Sequence, residues 1–272
     1  MAKQARSGSR CRRFEEKWSR ALLGLGVAGL LTWGAAPAPA RQLASLPGAE
    51  SIFDAFIEKS GGRALFEGIS NRRTTSTMEL SVLPGPAEVT TLLTKEGLFR
   101  VVVESQTIGK VEYGSDGLTV WEINPVSGPK ILEGKERKRL QTLYGLDLPM
   151  RWRTVFKKVE CTGLTDLEGR PAYKVMAETA DEYELTYYFD RETGLLAKIE
   201  LPMETPVGLG IQEVILREYR TVTGRLFPYL QIRREFGRKM TLAFKSVEYN
   251  VAIPENAFAL PEAIRKIVKS SR

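Results

Sequence analysis

Apolar positions change their period twice along the chain, and those changes divide it. In "SIFDAFIEKS", Ile52, Phe53, Phe56 and Ile57 recur at helical spacing and form one stripe. Gly61-Gly62 supplies a flexible helix stop. "RALFEGI" then resumes for a turn or two, with Leu65, Phe66 and Ile69 apolar. From Arg72 the period becomes two. "TSTMELSVL" sets Met78, Leu80 and Val82 on one face against Thr77, Glu79 and Ser81 on the other. "EVTTLLTKEGLFRVVVES" predicts a hairpin turned at Lys95-Glu96-Gly97, with Phe99, Val101 and Val103 aligned. "KVEYGSDGLTVWEINPVSGP" predicts the next hairpin, because Asp116-Gly117 supplies the positive φ that tight turns need. Trp121 and Ile123 share one face of its second strand and are placed toward the apolar interior; the face of Leu118 and Val120 is the alternative. Residues 134–149 break the alternation: "GKERKRLQTLYGLDLP" reads as a helix, polar at first, apolar at Leu140, Leu143 and Tyr144, and stopped by Pro149. Seven more strand patterns follow, punctuated by turns at Gly169, Gly194, Gly224 and Gly237.

About a dozen strands and few helices predict a mainly β (α+β) fold. The expected architecture is one large antiparallel sheet, curled or closed. One domain is expected over 51–265, after a linker at 41–50 and before a C-terminal tail at 266–272. Leu185, Tyr187 and Phe189 line one face of their strand, as Met240, Leu242 and Phe244 do of theirs. A concave apolar face must be covered by a partner sheet, by helices or by a ligand. Its candidate wall is Met78, Leu80, Val82, Phe99, Val101, Val103, Trp121, Ile123, Leu185, Tyr187, Phe189, Met240, Leu242 and Phe244. Phe53, Phe56, Ile57, Leu140 and Leu143 are the candidate lid contacts.

The first 40 residues carry a different signal. Seven basic residues precede the uncharged run "ALLGLGVAGLLTWGAA", and Ala38-Pro39-Ala40 fits a small-x-small cleavage site. Together they predict a secretory signal peptide cleaved after Ala40 and a periplasmic product. An uncleaved inner-membrane anchor is the alternative, although the run falls short of the roughly 20 residues a span needs. Arg12-Arg13 belongs either to an ordinary basic region or to a twin-arginine signal. Cys11 precedes the apolar run, so no lipidation site follows it.

Export changes the charge picture. The chain has 40 basic and 33 acidic residues, for a net +7, but the portion after Ala40 has 33 against 31. A nucleic-acid role loses its support with the signal peptide. The same portion keeps one cysteine, Cys161, read as a small apolar side chain in a strand, and the chain has no histidine. The usual general base, triad and commonest zinc ligand are therefore missing. No G-x-S-x-G, P-loop, H-E-x-x-H or C-x-x-C occurs. Glu182 with Glu184, and Glu122 with Asn124, are same-face polar pairs read as solvated strand faces rather than as a glycosidase pair. "KERKRL" at 135–140 reads as a solvated helix face; contact with lipid headgroups or an acidic partner is the sharper option. No catalytic residue, metal or cofactor is expected.

"FIEKSGGRALFEGI" leading into a strand resembles the opening of secreted bacterial proteins related to the periplasmic lipoprotein carriers LolA and LolB. "GKVEYGSDGLTVWEINPVSGP", "YFDRETGLLAKIE" and "VEYNVAIPENAFALP" are similar to three further landmarks of that group. The resemblance spans about residues 50 to 262. It implies an incomplete antiparallel barrel of about 11–12 strands around an apolar cavity that shields acyl chains, with helices as its lid. Its expected partners are lipid or acylated protein cargo and inner- and outer-membrane proteins, with the carrier itself a monomer. An envelope interaction or sensor module using the same concave face is the alternative. The polar lid-to-barrel contact of the carriers finds no matching motif around an arginine.

Overall fold

Thirteen strands hydrogen-bond in one antiparallel sheet that curls without closing. They are β1 (Asn71–Leu80), β2 (Ala87–Thr94), β3 (Phe99–Ser105), β4 (Gly109–Ser115), β5 (Val120–Asn124), β6 (Gly128–Leu132), β7 (Phe156–Leu167), β8 (Arg170–Thr179), β9 (Glu184–Asp190), β10 (Leu196–Thr205), β11 (Gly208–Val222), β12 (Arg225–Glu235) and β13 (Arg238–Tyr249). The computed structural model describes residues 45–82, 84–180, 183–205 and 208–270. The signal sequence, its cleavage after Ala40 and the proposed role of Glu182 lie outside the described residues.

The order is β6-β5-β4-β3-β2-β1-β13-β12-β11-β10-β9-β8-β7, so two meanders join where β1 pairs with β13. The strand beyond the expected 11–12 is β6, "GPKIL". Its Pro129 cannot donate to a ladder and is tolerated at an edge, which is why the segment reads as turn in sequence. Three hairpins turn on Glu168-Gly169, Thr223-Gly224 and Phe236-Gly237, with both residues at positive φ in each. The opposite edge, β7, carries Lys157, Lys158 and Glu160 and two register shifts, features that discourage edge-to-edge pairing.

Because β6 and β7 are the two edges, the chain between them must cross the open side of the sheet. That crossing holds α3 (Gly134–Leu143), a 3₁₀-helix (Leu148–Arg151) and α4 (Trp152–Val155). The expected single helix stopping at Pro149 is thus two pieces. α3 ends at Leu143, Asp147 takes φ 51°, and Pro149 sits in the first turn of the 3₁₀-helix, where its missing N–H costs nothing. The expected tail from 266 is also corrected. Residues 262–270 form the amphipathic helix α5 (Glu262–Ser270), which packs on β6 with Ile264 fully buried.

α1 (Ala49–Lys59) and the short α2 (Arg63–Glu67) precede β1. α1 buries Ile52, Phe53, Phe56 and Ile57, the helical stripe visible in the sequence. Phe53 is the hub of this half: its ring lies 5.7 Å from Trp152, 5.5 Å from Tyr187 and 5.1 Å from Phe189. A second cluster fills the other half, formed by β1–β6 and β13 under Leu140 and Leu146. Gly61 passes so close to the β11–β12 turn that a Cβ would lie 2.8 Å from the Gly224 carbonyl oxygen.

α1 is also pinned electrostatically. Asp54 accepts from Arg153 Nη1 and Nη2 at 2.7 and 2.6 Å and from Trp152 Nε1 at 3.3 Å. The Arg153 hydrogen bonds, against an opposing effect of burial, hold the Asp54 carboxyl below the usual aspartate range, with help from Trp152 and Arg63. A folded value below the unfolded one means this anchoring is fully present above about pH 4 and is lost as pH falls through the folded value. Asp54→Asn should therefore flatten the fall in Tm below about pH 4; parallel acid titrations that superimpose would refute this anchoring. Phe53→Ala should cost about 3–5 kcal/mol in urea unfolding at unchanged m.

Candidate functional site

Cross-strand pairing assembles the concave wall row by row. Met78 stands opposite Leu242, Leu80 opposite Met240 and Ser76 opposite Phe244. Val103 lies between Val89 and Val111, and Val101 between Thr91 and Tyr113. These side chains enclose a trough of about 340 Å³, roofed by Leu140, Leu143 and Tyr144 around α3. The trough adjoins a smaller chamber of about 170 Å³ lined by Phe56, Leu148, Leu185, Tyr187, Ile199 and Leu216. Of the expected wall, Met78, Leu80, Val101, Val103, Met240, Leu242 and Phe244 come together in the trough, with Leu140 and Leu143 above them.

Several expected positions fall elsewhere. Val82 lies in the turn after β1 and is 56% exposed, because the strand ends at Leu80. Phe99 is on the concave face but sealed beneath Tyr144, 5.2 Å away. Phe189 is buried against Phe53 and Phe56, and the lid residues Phe53, Phe56 and Ile57 belong to that core. Leu185 and Tyr187 are also core side chains, although each borders the smaller chamber.

Trp121 and Ile123 occupy the opposite face. The turn runs over 116–119, capped by Asp116 Oδ1 accepting from the Leu118 and Thr119 amides, so Ser115 pairs with Val120 and Gly114 with Trp121. Val120 and Leu132 therefore complete the concave row, and Leu118 sits in the turn, 83% exposed. Trp121 is nonetheless only 1% exposed. It lies across Gly114, where a Cβ would be 2.2 Å from the indole, and below the Arg100 guanidinium at 5.9 Å. Arg100 in turn donates to the Ala257 carbonyl at 3.3 Å, tying the C-terminal segment to this face.

Glu122 is likewise not a solvated strand residue. It is 8% exposed on the concave face and paired with Lys130 at 3.0 Å and Asn124 Nδ2 at 3.2 Å. Glu184 is exposed. Cys161 is half-buried beside the α1 core, and burial pushes its thiol up, away from thiolate reactivity.

No local sequence signal marks Asp147. Its carboxylate accepts from Arg72 Nη1 at 2.9 Å and Arg225 Nη2 at 3.0 Å, joining the crossing segment to β1 and β12. A polar contact between the crossing segment and the sheet therefore exists, although no motif around an arginine announces it. Arg225 has 4% side-chain exposure and lies 3.6 Å over Phe66 and 4.7 Å over Tyr249. Burial pulls its guanidinium below the ordinary arginine range, with Asp147 opposing. The partners are 75 and 78 residues apart, so no local spacing announces them.

A larger depression, about 640 Å³, lies outside the trough. Its Glu213, Ile215 and Arg217 alternate along β11 with the inward Val214 and Leu216. Its charges pair among themselves: Arg170 with Asp190 at 2.7 Å, Lys198 with Glu213 at 3.2 Å, and Arg217 with Glu168. Between these ion pairs its wall is apolar, with Leu167, Ala172, Leu195 and Ile215.

An open antiparallel half-barrel with a helix-roofed apolar trough is the class of protein these elements define. Its fold is that of the LolA superfamily and of outer membrane lipoprotein-sorting domains. The structure is similar to a LolA superfamily protein from Nitrosomonas europaea (TM-score 0.54, 14% identity, 79% of this chain and 99% of that one). A DUF1329 family protein from Desulfovibrio piger gives 0.54 at 11% identity over 77% and 96%. An outer membrane lipoprotein-sorting protein domain from Vibrio parahaemolyticus gives 0.51 at 13% over 81% and 99%. No protein-family model and no curated protein sequence matches the chain. No helix among the described residues is long and apolar enough to cross a membrane.

Asp147→Asn should cost about 3–5 kcal/mol, because it leaves the Arg225 charge buried without a carboxylate. The double variant Asp147→Asn/Arg225→Met should recover most of that loss in urea unfolding, since it removes the buried charge that the single variant strands and keeps a residue that tolerates the positive φ of 51°. A double variant no better than the single would show that Asp147 is held for another reason.

Proposed function

We propose that the protein binds acyl chains, free or on an acylated protein, in the trough beneath α3, as a periplasmic carrier without catalysis. The observation that carries this reading is the convergence of Met78, Val101, Val103, Met240, Leu242 and Phe244 on one cavity of about 340 Å³. That is within the range of small-ligand sites, about 300–1,000 Å³. Burial of a chain is worth about 0.8 kcal/mol per methylene, so about fifteen methylenes resist entering water by roughly 12 kcal/mol. Holding such a chain in solution needs an apolar enclosure and no acid, base or metal. The basic, then apolar N-terminal sequence supports export, with cleavage after Ala40 or retention as an anchor as its two forms. Membrane proteins that load and unload the cargo are the partners this reading requires.

Gentle purification from the native envelope, followed by mass spectrometry before and after organic extraction, tests it. Near-stoichiometric lipid on a protein of residues 41–272 is the expected result. Phe244→Asp places a charge in the wall and should cut occupancy to below about a tenth at preserved fold. Full occupancy in a folded Phe244→Asp protein would refute the trough as the site. An empty protein that captures a specific envelope protein would favour the interaction-module reading instead.

A further inference from the structure

The apolar trough contains more positive charge than its stability requires. Among the described residues lining the two chambers, Arg72, Arg139, Arg225, Arg233 and Arg238 face only Asp147 and Glu235. Arg72 and Arg225 share the Asp147 carboxylate, and Glu235 accepts from Gln212 Nε2. Arg233 is different. It borders both chambers, standing where the trough meets the smaller cavity. Its cross-strand neighbours, Val214 on β11 and Met240 on β13, offer no side-chain oxygen, while Gln231 and Glu235 flank it on the same face of β12. Its Nε is buried with no acceptor, as is the Nε of Arg72, which borders the same junction.

A buried donor without an acceptor forfeits its hydration and gains nothing in return, and such groups are uncommon in native proteins. A guanidinium is also the side chain whose planar fork matches a carboxylate or phosphate with two parallel hydrogen bonds. We propose that the trough selects an acidic amphiphile: acyl chains lie along the β1–β3 and β13 wall while a carboxylate or phosphate head takes up the hydrogen bonds of Arg233, with Arg72 beside it. This rests on the acyl-chain reading of the trough and narrows it to anionic lipids. A neutral lipid of equal length fills the same wall but leaves the guanidinium unpaired, and sites built to hydrogen-bond a group discriminate strongly against analogues lacking it.

The test uses the delipidated mature protein and displacement of a fluorescent fatty acid by oleate, oleyl alcohol and 1-oleoyl lysophosphatidate. At least one of the two anions should bind about tenfold or more tightly than oleyl alcohol, as expected for one charge-assisted hydrogen-bonded pair. Whether oleate or the lysophosphatidate wins assigns the head to a free fatty acid or to a phospholipid. In Arg233→Gln the ratio of anion to alcohol affinity should fall to within about threefold, and Arg233→Lys should keep an intermediate ratio. Thermal unfolding reports whether each variant folds; if Arg233→Gln does not, the wild-type ratio and Arg233→Lys still decide. Equal affinity for oleate, lysophosphatidate and oleyl alcohol in the wild type overturns the headgroup proposal while leaving the acyl-chain reading standing. A folded Arg233→Gln that keeps the full anion preference overturns it as well. Failure of all three ligands to displace the probe overturns both readings.

Discussion

A sheet of thirteen strands that curls without closing carries an apolar concave face that the strands cannot bury for themselves. Everything else in the molecule follows from how that face is covered. Over β7–β11 the answer is α1, whose Phe53 fills the curve so completely that Tyr187 and Phe189 become core. Over β1–β6 and β13 the cover is α3, a helix polar along most of its length with Leu140 as its buried side chain. One sheet thus has a filled half and a roofed half, and the trough belongs to the second.

The crossing segment that makes the roof is forced by topology, since it links the two edges of the sheet. It is fastened by polar contact: Asp147, at positive φ, receives both Arg72 and Arg225. Desolvation makes buried ion pairs poor contributors to net stability, but losing one partner is costly. Their effect is to fix where the crossing segment sits. One carboxylate between two guanidiniums also leaves a positive excess beside the chambers, and Arg233 adds to it a guanidinium whose buried Nε has no acceptor.

The architecture was legible because its signals are local. The α1 stripe, the Gly-centred turns and the alternation in β1, β3, β9 and β13 each lie within a few residues of one another. β6 escaped because Pro129 and Gly128 read as turn, whereas α5 was legible, since Ile264, Ile267 and Val268 recur at helical spacing, and was passed over as a charged C-terminal end. The face of Trp121 was misread for a specific reason. Period two says which residues share a face but not which face is inside, and the choice hung on whether Leu118 began the strand or belonged to the turn. The charged part of the site was illegible throughout. Asp147, Arg72, Arg225 and Arg233 come from three distant stretches, and only the curl of the sheet brings them to one junction.

On the proposed acyl-chain reading, the unequal cover distinguishes the half that could exchange a ligand. Lifting α1 would expose Ile52, Phe53, Phe56 and Ile57 together, each worth about 1.5–3 kcal/mol, and would break the Asp54–Arg153 pair besides. Displacing the α3 roof exposes buried Leu140 and the half-buried Leu143 and Tyr144, at the cost of about one to two such side chains. An acyl chain entering the trough regains apolar contact worth several times that amount, at about 0.8 kcal/mol per methylene. Opening the α3 side is therefore small against the energy of cargo binding, whereas opening the α1 side is comparable to unfolding that half. The proposed carrier role would use this imbalance: a rigid half to keep the sheet curled, and a lightly held roof over the half proposed to fill and empty.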